Sequence, residues 1–134
     1  MLKLLSYPLT ILFFICFGLV LVIFHPIQWF CLKIFGYDAH KRSVSILNWF
    51  IMASTGILGT RYKFENTHQI PTDRPLIIVT NHQSMYDIPP IIWFMRKYHP
   101  KFVSKIELGK GIPSVSFNLR NSGSALIDRK DPKQ

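Results

Sequence analysis

The chain has 134 residues, 49% of them hydrophobic, with 16 Lys and Arg, seven Asp and Glu and two cysteines. That length suits one modest domain rather than two, and two cysteines are too few for a disulfide framework or a cysteine-built metal site. The net charge of +9 favours anionic partners: nucleic acid, anionic lipid or phosphorylated metabolites. Nucleic acid ranks last, because the basic residues are scattered and no recognition motif accompanies them.

Residues 4–32 contain no Asp, Glu, Lys or Arg, whereas residue 33 onward carries 15 basic and seven acidic residues, a net +8. From Leu9 to Phe24 nothing is more polar than Thr10 and Cys16. A helix crosses a bilayer with about 20 residues, and Leu4 to Phe24 reaches that length with Pro8 in the first turn. The bulky His25-Pro26-Ile27-Gln28-Trp29 that follows offers no small-residue cleavage site, so an uncleaved membrane segment is expected over a signal peptide or a core helix. Cys16 and Cys31 both fall in this head and read as small core-like residues. A second uncharged stretch, Ser43 to Thr60, holds Trp49, Phe50 and Met52 and is expected to lie back against the first. Lys33, Lys41 and Arg42 sit in the connection, on the side that usually stays cytoplasmic. One spanning helix and two helices lying in one leaflet are both open.

After Gly59 the texture changes to short elements. Arg61 to Glu65 alternates like an edge or half-buried strand, and residues 66–75 form a polar loop with two prolines. Leu76 to Thr80 is apolar and β-branched, as expected of a strand covered on both faces. A helix is expected from Ile88 to Tyr98, a strand over Lys101–Lys105, a helix within Ile112–Gly123 that stops at Asn121-Ser122-Gly123, and a strand over Ser124–Arg129. Strand and helix alternate, which predicts an α/β arrangement. Residues 1–60 are assigned to apolar membrane-anchoring helices and 61–134 to the α/β domain.

The stretch Asn81-His82-Gln83-Ser84-Met85-Tyr86-Asp87 joins the apolar strand to the Ile88 helix. His82 and Asp87 stand five residues apart, about 500° of helical rotation, so they share no helix face. They converge only if His82 lies in the turn before the helix and Asp87 at its start. Pro89 and Pro90 are tolerated only in a first turn, which makes Asp87 the expected N-cap. On spacing alone, a capping Asp and a polar loop His is the simpler reading. The functional one is a His–Asp pair, the carboxylate accepting the Nδ1 hydrogen and leaving Nε2 to take a proton from an attacking hydroxyl. Ser84 reads as a turn or capping residue, since no G-x-S-x-G elbow surrounds it.

These residues resemble the first signature block of the glycerolipid acyltransferases, specifically the 1-acyl-glycerol-3-phosphate (lysophosphatidic acid) acyltransferases. Two more blocks follow in that family's order. Phe102–Pro113, "FVSKIELGKGIP", resembles its Lys-x-Glu-Leu segment with the later Ile-Pro. Gly123–Arg129, "GSALIDR", is similar to its G-x-x-[apolar]-I-D-R block, with Leu126 where Phe is more usual. The resemblance covers Arg61 to the C-terminus. It implies a mixed sheet with flanking helices, preceded by one or two apolar membrane-associated helices.

It also implies that His82 is the general base and Asp87 its orienting partner, acting on the free hydroxyl of lysophosphatidic acid. The activated oxygen attacks the thioester of an acyl-CoA or acyl-carrier-protein, giving phosphatidic acid for phospholipid biosynthesis, with no covalent acyl-enzyme, metal or further cofactor. Arg129 and, more weakly, Lys105 would hold the acceptor's phosphate, Gly123 would allow close backbone approach, and Asp128 would orient Arg129. A guanidinium fork matches phosphate oxygens in two places, while Lys supplies a point charge. Another lysophospholipid or glycerol-3-phosphate is the alternative acceptor. The implied setting is a membrane with the catalytic domain on the cytoplasmic face. The family's Glu-Gly-Thr-Arg block does not occur before Gln134, so an N-terminal part of a longer enzyme is expected. The competing class is a non-catalytic truncated membrane protein that binds anionic lipid through its basic body.

Overall fold

The computed structural model of the chain describes residues 2–65 and 70–131. Helix α1 runs Leu2–Phe30 and continues as one wide turn, Cys31–Phe35; Gly36, at φ 81°, reverses the chain into α2, Tyr37–Thr55. Pro8 and Pro26 both lie inside α1. Pro26 has no N–H to give to the carbonyl four residues back. Ser6–Phe35 is the one helical stretch among the described residues long and apolar enough to cross a membrane. Cys16 and Cys31 are free and half-buried.

As expected, the second uncharged stretch folds back on the first. Leu21 of α1 meets Leu47 and Ile51 of α2, with Phe17, Val20, Phe24 and Val115 around them. The buried face of α2 is partly polar, and buried polar groups are for the most part hydrogen-bonded. Its small side chains bond their own helix: Ser43 Oγ donates to the His40 carbonyl at 2.6 Å, Asn48 Nδ2 to Val44 at 2.8 Å and Ser54 Oγ to Ile51 at 2.7 Å.

Beyond a short 3-10 turn, Gly56–Leu58, the expected strand over 61–65 is not formed. Side-chain contacts hold this segment instead. Tyr62 Oη lies 3.0 Å from Thr55 Oγ1, Phe64 stacks on Phe94 at 5.0 Å and 4°, and Lys63 pairs with Glu65. The first four residues of the polar loop, 66–69, lie outside the described residues.

Leu76–Thr80 is extended but joins no ladder among the described residues, so it is not the doubly covered strand its composition suggests. Ile77 and Val79 are 95% and 90% exposed, and Leu76 and Ile78 are exposed less, at 37% and 42%.

The turn Met85–Asp87 leads into α3, Ile88–Phe94, with both prolines in the first turn. The helix ends four residues short of Tyr98, in turns rather than a continued coil. α3 lies on α2, with Trp93 6.4 Å from Trp49. The chain then forms β1, Val103–Lys105, a 3-10 turn Ile106–Gly109, α4, Val115–Asn121, and β2, Ala125–Ile127. β1 and β2 pair in parallel with Val103 opposite Ala125 and Lys105 opposite Ile127, and α4 supplies the crossover that parallel strands need. Among the described residues this two-stranded sheet is the only one, a smaller α/β arrangement than the sequence suggests. Gly109 is buried at the close approach to β2, where a Cβ would meet Leu126 Cδ1 at 2.8 Å.

α4 begins three residues later than Ile112 because Ser114 takes φ 60°. Ser114 is fully buried, donates Oγ–H to the Leu21 carbonyl at 2.6 Å and gives its backbone N–H to His25 Nδ1 at 3.1 Å. Its φ of 60° with ψ −51° is a backbone conformation that L side chains rarely adopt. These two bonds to α1 hold it there and dock the βαβ unit on the helical hairpin.

Candidate active site

The Asn81–Asp87 stretch brings His82 and Asp87 together. Asp87 Oδ2 lies 3.3 Å from His82 Nδ1, and the same oxygen accepts the backbone N–H groups of Gln83 at 2.8 Å and Ser84 at 2.9 Å. The bonds from Ser84 and Gln83 hold the carboxyl below its ordinary pKa against an opposing desolvation, with smaller contributions from His82. Asp87 is therefore an anion facing an imidazole, the arrangement that fixes a histidine's tautomer.

The local cause is a helix start displaced toward the N-terminus. Asp87 stands at the N-cap position of α3 but makes no side-chain cap to that helix; the side-chain cap is Ser84, in extended conformation, at the start of the 3-10 turn. Ser84 Oγ accepts the Tyr86 N–H at 3.3 Å, and Asp87 closes a reciprocal capping box onto Ser84. The 3-10 turn in between moves Asp87 to the third helical position, and from there its carboxylate reaches back to His82. Ser84 is thus the capping residue its context suggested. The signal for the displaced start, Ser-x-x-Asp, is legible in the sequence.

His82 is exposed, with 55% of its side-chain surface open. Two open grooves lie near this stretch, the smaller of them touching Asp87 and neither lined by His82. One, of about 330 Å³, is bounded by Asn81, Asp87, Pro90 and Phe94. The other, of about 500 Å³, is apolar and runs along Leu76–Thr80 past Ile91 and Met95. Phe64 and Ile91 line both.

The other sequence candidates sit on the βαβ unit. Lys105 ends β1, and Arg129 follows the end of β2 by two residues, so both exposed cations lie at the same end of the parallel pair. Asp128 Oδ1 accepts the Lys130 N–H at 2.9 Å. Gly123 lies at the opposite end of β2. Its φ of 77° ends α4, and a Cβ there would meet Lys101 Nζ at 3.3 Å. The structure thus joins His82 to Asp87 and groups Lys105 with Arg129, and it sets Gly123 apart from both pairs. Among the described residues no group of three His, Cys, Asp or Glu gathers to hold a metal ion.

Sequence reasoning missed a second polar cluster. Lys101 Nζ bonds Tyr37 Oη and the Ser122 carbonyl and lies 3.2 Å from His99 Nε2, tying the start of α2 to the end of α4. Burial first, then Lys101 and Lys41, push His99 down to about 4 against a weaker pull from Asp38. It also missed Tyr86, whose ring lies against Phe13 and Phe17 of α1.

A family model described as "Acyltransferase" matches residues 61–134, more than half of the chain. Neither the curated proteins nor the solved structures give a match.

Proposed function

Because this chain belongs to the acyltransferase family, we propose that it transfers a fatty acyl group from acyl-CoA or acyl-carrier-protein to the free hydroxyl of lysophosphatidic acid. The 3.3 Å approach of Asp87 to His82 Nδ1 carries this reading. With Nδ1–H directed at the carboxylate, Nε2 is the basic nitrogen. It takes the acceptor's hydroxyl proton as the oxygen attacks the thioester carbonyl. The tetrahedral intermediate collapses with cleavage of the C–S bond, and the imidazolium returns its proton to the departing thiolate. The products are phosphatidic acid and the free thiol, and no acyl-enzyme is required. The exposed Arg129 and Lys105 supply the charge for the acceptor's phosphate, and Gly123 shapes the turn that leads into β2, the strand before Arg129. The test is transfer of oleoyl from oleoyl-CoA to lysophosphatidic acid, wild type against His82→Ala. Undiminished transfer by the variant removes the mechanism.

The same reading places α1 along the membrane surface. Tyr86 meets α1 at Phe13 and Phe17, and Ser114 meets it at Leu21 and His25. Those contacts span about 18 Å of helix. Were α1 upright, the polar body beside it would be drawn into hydrocarbon, where unpaired polar groups cost several kcal/mol each. Lying in one leaflet, α1 keeps Ile11, Phe14, Ile15 and Val22, all exposed, in lipid and leaves the basic body in water. Acyl-CoA availability and the flanking Lys33, Lys41 and Arg42 favour the cytoplasmic leaflet.

A further inference from the structure

Among the described side chains from Leu4 to Ile15, every one is exposed except Phe13, at 1%. The ring that meets Phe13 from outside α1 is Tyr86, edge-on at 5.7 Å and 70°; Tyr86 also meets Phe17 at 6.4 Å and 78°. The residue beside Asp87 is therefore seated on the apolar helix, between two aromatic side chains one turn apart.

This seat ties the turn to α1, while α3 ties it to α2. The hydrogen bonds that the 82–87 turn makes among the described residues are internal: Gln83 and Ser84 to Asp87, Tyr86 to Ser84 Oγ, and Asp87 N–H to the Ser84 carbonyl. They fix the shape of the turn but not its place on the body. Upstream, Leu76–Thr80 has no ladder to hold it. Downstream, α3 packs on α2.

We propose that Tyr86 is a positioning residue whose ring, seated on Phe13 and Phe17, fixes the His82–Asp87 turn against α1 so that the imidazole meets acceptor lipid in the membrane α1 occupies. This inference rests on the reading of His82 as the base. The capping box keeps the His–Asp pair intact without the ring, so the Tyr86 ring governs where the base stands rather than its chemistry. Misplacing a reactive group by about 1 Å reduces rate by up to roughly 100-fold, and only an acceptor held in the membrane is subject to that misplacement.

The experiment places the full chain in phosphatidylcholine vesicles and compares two acceptors: long-chain lysophosphatidic acid in the bilayer and a short-chain, water-soluble lysophosphatidic acid. Tyr86→Leu is expected to lose about 10- to 100-fold on the bilayer acceptor, to keep its rate on the soluble one and to keep the wild-type pH profile. Tyr86→Phe retains the ring and restores both rates. Phe13→Leu reproduces Tyr86→Leu, and the double variant is no worse than either single one. Equal loss on both acceptors marks a folding defect and overturns the proposal, as does no loss or a multiplicative double variant. Retained transfer by His82→Ala overturns the base assignment and this inference with it. If that variant is inactive while Tyr86→Leu is unaffected, the positioning role alone falls.

Discussion

Asp87 reaches His82 with the same oxygen that caps its own helix: Oδ2 lies 3.3 Å from His82 Nδ1 and accepts the Gln83 and Ser84 N–H groups at 2.8 and 2.9 Å. Structural and chemical duties are thereby fused in one carboxylate, and they can be separated. Asp87→Asn keeps an acceptor for the cap but loses the charge that stabilises an imidazolium. Transfer is expected to fall by about 10²- to 10⁴-fold, near the loss for His82→Ala, with the secondary structure unchanged by circular dichroism.

The depressed pKa of Asp87 has a signed consequence. The unfolded chain takes up this proton near 3.8 and the folded chain at lower pH, so the stabilisation is complete above pH 4 and is lost as pH falls through the folded value. Melting temperatures of wild type and Asp87→Asn should differ at pH 6 and converge in stronger acid. A constant difference down to pH 3 would contradict this.

His99 acts in a higher window. Its folded pKa of about 4 lies below the ordinary 6.5, so the unfolded state binds a proton that the folded state refuses. Stability is full above pH 6.5 and declines as pH falls toward 4. His99→Asn tolerates the φ of 50° and should flatten that part of the melting-temperature profile.

Gly123→Ala forces a Cβ into the left-handed region at φ 77° and toward Lys101 Nζ at 3.3 Å. A loss of about 1–2 kcal/mol is expected in urea unfolding, with little effect on the acceptor KM. A large KM change with unaltered stability would instead indicate a direct contact with the acceptor.

Arg129→Ala, if Arg129 holds phosphate, should raise the KM for lysophosphatidic acid by about 10- to 100-fold and leave a monoacylglycerol acceptor unaffected. Arg129→Lys should recover only part of the loss. Lys105→Met should show a smaller effect of the same kind.

Much of this was legible before any coordinates. Lys101–Lys105 and Ser124–Arg129 contain the observed β1 and β2, because short apolar-containing segments between turn signals mark such strands locally. The convergence of His82 and Asp87 was legible for the same reason: it depends on one turn. Leu76–Thr80 was misread because composition reports what a segment can cover, whereas pairing depends on a second segment. The Tyr86 seat was invisible because α1 is apolar on nearly all sides, and so the buried row cannot be distinguished from the rows facing lipid.

The row of α1 that meets the rest of the chain is Phe13, Phe17, Leu21 and His25, spaced four residues apart, with Phe13 and Leu21 buried. Two of its members seat the Tyr86 turn, and the other two hold Ser114. One added residue between Phe17 and Leu21 rotates everything beyond it by about 100°, so the two attachments could no longer face the same body. Evolution is therefore free to exchange one greasy side chain for another on the lipid side of α1, while its length between positions 13 and 25 is locked.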